Sequence, residues 1–155
     1  MKATLHTDGG ARGNPGPAGI GAVLYDETGE EIGQVSESLG ATTNNVAEYK
    51  ALIAGLELAV ARGVTEIDVK CDSQLVVSQV SGEWKIKSDQ LRSLAAKAER
   101  LLYKFPSHSL SHVPRASNAR ADELANQAMD AAARDAWLLE EGEQPLTMDG
   151  LDTRE

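Results

Sequence analysis

Hydrophobic residues change their spacing along this chain in a fixed order, and that order restricts the fold more than any other property of the sequence. Lys2 to Asp8 alternates weakly between polar and apolar residues, then runs into GGARGNPGPAG, whose glycine and proline density reads as a loop. A first strand is therefore expected to end at Asp8. Ile20 to Tyr25 and Glu31 to Leu39 read as two further strands, joined by Asp26-Glu27-Thr28-Gly29, a composition suited to a hairpin turn. From Asn45 to Arg62 the apolar positions Val46, Tyr49, Ile53, Leu56 and Val60 recur at helical spacing, with Thr43 or Asn44 available as a cap and Gly63 as a stop.

The second half alternates. Glu66 to Asp72 is a β-branched strand, and Gln74 to Val80 a short helix. Gln90 to Tyr103 is a longer helix with Leu91, Leu94, Ala98 and Leu101 on one face, and Gly82 separates the two helices. His108 to Val113 is the last strand, followed by a helix from about Asn118 to Arg134 with Leu124, Ala128 and Ala132 facing inward. The order βββαβααβα, an antiparallel start followed by alternating strands and helices, implies an α/β fold: a five-stranded mixed sheet with helices on both faces.

A chain of 155 residues with 41% hydrophobic and 25% charged residues has the size and composition of one globular domain, expected over residues 1–134. Residues 135–155, which end in EEGEQPLTMDGLDTRE, read as an acidic, solvated and disordered tail. No apolar run approaches the roughly 20 residues that span a bilayer, and MKATLHTDGG lacks the apolar core of a signal peptide, so a cytoplasmic location is expected. The single cysteine, Cys71, stands inside the alternation of a strand, where a buried thiol is the expected role.

A net charge of −9 looks wrong for a partner of nucleic acid. Its distribution changes that reading. Seven acids against Arg154 place −6 of it in residues 135–155 and leave −3 on the body. If four acids of the body bind two divalent cations, the loaded surface becomes slightly positive.

Four acids stand at or near the ends of expected elements: Asp8 in TDGGARGNPG, Glu48 in TTNNVAEYKAL, Asp72 in KCDSQLV and Asp122 in HVPRASNARADELA. Any one alone would be an ordinary solvated carboxylate. Spacing alone does not show that the four converge.

Taken together, T-D-G-G-x-x-G-N-P-G-P-x-G, T-T-N-N-x-x-E, D-S-Q and H-V-P-R-x-x-N-x-x-A-D-x-L-A, in this order over residues 1–134, resemble the type 1 ribonuclease H family. The resemblance implies the ribonuclease H-like fold and a metal-dependent endonuclease that cuts the RNA strand of an RNA·DNA hybrid, leaving 5′-phosphate and 3′-hydroxyl ends. It assigns Asp8, Glu48, Asp72 and Asp122 as catalytic metal ligands. Carboxylates are hard oxygen donors suited to two Mg²⁺ ions, or Mn²⁺ as a substitute, and four crowded together without cations would raise one another's pKa. Two bridged cations can activate water and relieve charge on the departing 3′ oxygen.

The resemblance also places His112 as a catalytic loop histidine assisting proton transfer or product release, a role suited to a side chain that ordinarily titrates near neutrality. It places Asn14, Asn44, Asn45 and Gln74 at base edges and 2′-hydroxyls, although the same asparagines also suit turns and helix caps. Many relatives insert a basic, tryptophan-rich projection after the second helix, and here the corresponding segment is only VSGEWKIKSDQL. This is a short form, in which Trp84, Lys85 and Lys87 either contact the DNA strand or simply pack against the next helix. Weaker, more salt-sensitive hybrid binding follows, and limited cleavage of double-stranded RNA is a secondary activity such forms sometimes show. The expected substrate is the hybrid, with no membrane, no obligate protein partner and a monomeric state.

Two alternatives stand beside this reading. One is a catalytically silent nucleic-acid-binding module, which would usually lack one of the carboxylates. The other is a DNA-cutting relative of the same fold. The module also occurs fused to reverse transcriptases and other domains, in which case the acidic tail would be a linker.

Overall fold

The computed structural model describes residues 1–142. Its elements run β1 (Lys2–Ala11), β2 (Gly16–Asp26), β3 (Glu31–Thr42), α1 (Asn44–Ala61), β4 (Glu66–Cys71), α2 (Gln74–Val80), α3 (Asp89–Leu102), β5 (Ser107–His112) and α4 (Ala119–Gly142), with a 3-10 turn at Arg115–Asn118 before α4. The order expected from periodicity is the order found. The sheet is arranged β3-β2-β1-β4-β5. β1 to β3 form an antiparallel meander, whereas β4 lies parallel to both β1 and β5. The sheet is thus mixed, and β1 is its central strand.

Side-chain alternation on β1 sends Leu5 and Thr7 toward Gly55 of α1. On that face Tyr49, Leu52 and Leu56 are fully buried, in one core with Leu5 and Leu24 of the sheet, Val76 of α2 and Ala98 of α3. On the opposite face α4 covers the meander, with Ala121 and Leu124 against Val23. Burying one such leucine or valine contributes roughly 1.5–3 kcal/mol, and these two layers fix the sheet between them.

Several boundaries differ from the sequence reading, and β2 starts at Gly16 rather than Ile20. β1 continues past Asp8 through Gly9 and Gly10 to Ala11. The glycines there are packing devices as well as loop formers: a Cβ on Gly9 would stand 2.3 Å from the Ala47 carbonyl oxygen, so α1 can approach the strand only over a glycine. Gly21 on β2 plays the same part beneath α4, 2.3 Å from the Ala121 carbonyl oxygen by the same measure. β3 likewise runs to Thr42 rather than Leu39.

At the C-terminal end α4 does not stop at Arg134 but continues to Gly142. Ala131-Ala132-Ala133-Arg134 and Ala136-Trp137-Leu138-Leu139 are strong helix formers, which carry the helix through the boundary that acidity had suggested. The expected disorder of the remaining tail falls outside the described residues. No helix among the described residues is long and apolar enough to cross a membrane.

Candidate active site

Parallel pairing of β1 with β4 sets Thr7 opposite Cys71, so the next residues, Asp8 on β1 and Asp72 just past β4, emerge at the same end of the sheet. α1 enters beside them. Its cap is Thr43, whose side chain accepts from the Val46 N–H at 3.3 Å, and Glu48 lies one turn into the helix. The Glu48 Oε1 accepts the Gly9 N–H at 3.1 Å. Asp8 and Glu48 are only 7% and 8% exposed, which is unusual for carboxylates lacking a cationic partner.

Asp8, Glu48 and Asp72 each offer an oxygen within 4.8 Å of the others. Burial first, then the charges of Asp72 and Glu48, push the Asp8 carboxyl up to about 9. Burial and then Asp72 push Glu48 up to about 8, against the lowering effect of the Gly9 hydrogen bond. Asp72 is raised as well, again chiefly by burial. Its Oδ1 is buried without any hydrogen-bond partner. Crowded, desolvated carboxylate oxygens, one of them unpartnered, are a donor set that fits a hard divalent cation and little else.

Asp122 lies outside that group of three but next to it. It stands in the first turn of α4, where Arg115 donates to its Oδ1 at 3.1 Å and Asn126 to its Oδ2 at 3.2 Å. All four carboxylates, with Asn44 and Arg115, line one open cleft of about 430 Å³.

The other expected site residues divide. Asn14 Oδ1 accepts the Asn44 backbone N–H at 3.0 Å, and Asn44 Oδ1 accepts the Ala11 N–H at 3.3 Å. These asparagines therefore tie the β1–β2 connection to the start of α1, and each has its NH₂ group left for a ligand. Asn45 is half-buried in the same turn. His112 is exposed at the end of β5, in register with Cys71 and so one residue from Asp72 across the strand pair. Gln74 is exposed at the first position of α2 and donates to Ser78 Oγ at 3.0 Å. Trp84, 48% exposed, and the exposed Lys85 lie in the segment between α2 and α3 and do not line the carboxylate cleft.

Three side chains went unassigned in the sequence reading. Arg115 bonds Asp122, as does Asn126. Asn118, 1% exposed, donates to the Thr7 carbonyl at 2.7 Å and receives the Nδ1 hydrogen of His6 at 2.8 Å, because its own NH₂ is already committed to Thr7. It thereby clamps the turn bearing Arg115 against the strand bearing Asp8. Arg115 and Asn118 both sit inside the H-V-P-R-x-x-N motif, so the signal was present although the partners were not.

The Reverse transcriptase-like family pattern matches residues 6–128. The chain is 47% identical over 125 residues to Ribonuclease HI of Halobacterium salinarum, an alignment covering 81% of this chain and 63% of that protein. The N-terminal RNase H domain of a Mycobacterium tuberculosis protein, solved as a fusion with maltose-binding protein, superposes with a TM-score of 0.85 at 49% identity, covering 88% of this chain and 99% of that one. LC11-RNase H1 in complex with an RNA/DNA hybrid superposes with a TM-score of 0.79 at 46% identity, covering 84% and 98%. The chain spans only 38% of the length of the bifunctional Mycobacterium tuberculosis protein that it matches at 50% identity. With the mixed five-stranded sheet, the carboxylate cleft at its centre and these likenesses in agreement, the chain belongs to the ribonuclease H family.

Proposed function

We propose that this chain is a divalent-metal-dependent endoribonuclease that hydrolyses the RNA strand of RNA·DNA hybrids to 5′-phosphate and 3′-hydroxyl products. The observation that carries the reading is the trio of buried Asp8, buried Glu48 and half-buried Asp72, whose oxygens converge within 4.8 Å in an open cleft. Such crowding destabilises the metal-free protein, and a silent binding module would have no use for it. The hybrid bound to LC11-RNase H1 supports the same choice of substrate.

Asp8, Glu48 and Asp72 would hold the cations, with Asp122 at their flank. When bound, two Mg²⁺ or Mn²⁺ ions would supply an activated water and offset the charge on the departing 3′ oxygen. The remaining work falls to the chain. The NH₂ groups of Asn14 and Asn44, with Asn45 and Gln74, face the minor groove, where the 2′-hydroxyl separates RNA from DNA. Arg115, largely exposed beside Asp122, is placed to meet a phosphate of the cut strand. His112 moves a proton at the departing oxygen or assists product release. Trp84 and Lys85, away from the cleft, meet the DNA strand.

The test is product mapping on end-labelled hybrid, DNA duplex and RNA duplex, each with Mg²⁺, with Mn²⁺ and with chelator. Metal-dependent cuts in the RNA of the hybrid support the proposal, and weak cuts in the RNA duplex would add the secondary activity. Cuts in the DNA duplex would move the chain to the DNA-cutting relatives, and binding without cleavage under both metals would leave a silent module.

A further inference from the structure

Asp122, Asn126 and Asp130 are spaced by four on α4 and so stand one above another on a single helix face. Asn126 Nδ2 donates to the Asp122 carbonyl at 2.9 Å and to the Asp122 Oδ2 at 3.2 Å. A carboxamide has two ends of nearly equal size, and reversing this one would turn its oxygen toward the carboxylate. The Asp122 carbonyl only accepts, so it already draws the NH₂ end toward itself, and a contact from the other side of the cleft braces that orientation. Arg12, immediately after β1, reaches across so that its Nη2 meets the Asn126 Oδ1 at 3.4 Å and carbonyl at 3.5 Å, while its Nη1 pairs with Asp130. A guanidinium only donates, so the end of the amide facing it must be the oxygen, and the NH₂ end is left for Asp122.

We infer that Asn126 and Arg12 are positioning residues for Asp122, acting in series: Arg12 braces the oxygen end of the Asn126 amide, and the NH₂ end holds the fourth carboxylate against the metal-binding trio. Arg12 lies four residues beyond Asp8 on the same segment, so this contact ties the strand bearing one end of the site to the helix bearing the other. The inference rests on the metal-dependent reading of the cleft. Partners of this kind typically set metal affinity by about tenfold or more.

Asn126→Ala, Arg12→Lys and the double variant test it. Alanine is the better helix former at position 126, and Arg12 is well exposed, so the variants should fold; melting in chelator verifies this. Lysine at position 12 can keep the ion pair with Asp130 but has no second nitrogen with which to brace the amide. Two readouts apply: Mn²⁺ binding by calorimetry without substrate, and the Mg²⁺ midpoint for hybrid cleavage. Asn126→Ala should weaken Mn²⁺ binding and raise the Mg²⁺ midpoint by about tenfold. Arg12→Lys should move both in the same direction by less, and the double variant should be no worse than Asn126→Ala, as expected for residues in series. Unchanged Mn²⁺ affinity in Asn126→Ala overturns the inference. Wild-type behaviour of Arg12→Lys, or additive losses in the double variant, removes Arg12 from it. If the parent protein binds Mn²⁺ and the variants weaken that binding, yet no hybrid is cut, the positioning role stands and the proposed substrate fails.

Discussion

The Gly9 N–H donates to Oε1 of Glu48 at 3.1 Å, joining the central strand to the helix that covers it, one residue beyond Asp8. A missing side chain makes the contact possible. A Cβ on Gly9 would stand 2.3 Å from the Ala47 carbonyl oxygen, so Gly9→Ala must push α1 off the strand and lengthen this bond. Overpacking of this kind costs about 1–3 kcal/mol. Urea denaturation should register that loss, and hybrid cleavage should fall with it because Glu48 moves. Unchanged stability would show that α1 is free to shift.

Asp8→Asn should have opposite effects on stability and activity. Near neutral pH the buried carboxyl must take up a proton on folding, a cost the amide does not carry, so the melting temperature in chelator should rise by a few degrees, while hybrid cleavage is lost under saturating Mg²⁺. A fall in metal-free stability would mean that the fold does not oppose ionisation of Asp8.

The raised carboxyls also give a pH signature. Asp8 at about 9 and Glu48 at about 8 keep their protons in the folded state at pH values where the unfolded chain, with carboxyls near 4, has released them. Their contribution to stability is therefore fully present below about pH 4, declines as pH rises, and is gone above about pH 9. Melting of the metal-free protein should follow that slope between pH 5 and 9, and saturating Mg²⁺ should flatten it, since ligation requires the ionised forms. A metal-free melting temperature independent of pH across this range would contradict the burial of these groups.

Asn118→Ala should destabilise the fold by about 1–3 kcal/mol, because it leaves the Thr7 carbonyl and the His6 Nδ1 hydrogen without their partner. It should also lower cleavage more than global unfolding explains, since the turn carrying Arg115 loses its anchor. Chemical denaturation and steady-state rates on the same preparation check both. A loss of stability with full activity would confine Asn118 to a structural role.

Much of this was readable from residue order. α2 begins and ends where hydrophobic spacing places it, at Gln74 and Val80, because a short amphipathic run between a strand and a glycine has few alternatives. β1 runs past Asp8 because Gly9 and Gly10, loop residues by composition, serve there as packing positions beneath the helices. α4 runs past the Arg134 end that acidity suggests, because alanine and leucine propensity prevails there. The four carboxylates were found through motifs, and their convergence required strand register. Arg12, Arg115 and Asn126 escaped because hydrogen-bond partnership leaves little local trace: Arg12 and Asn126 are 114 positions apart.

The most direct measurement of the central claim is cleavage of a hybrid labelled separately on each strand, by the parent chain and by Asp72→Asn, in Mg²⁺ and in chelator. The account expects the RNA label alone to shorten, with 5′-phosphate ends, only with Mg²⁺ and only for the parent chain. Cleavage of the DNA label, or RNA cleavage that survives Asp72→Asn, would contradict it.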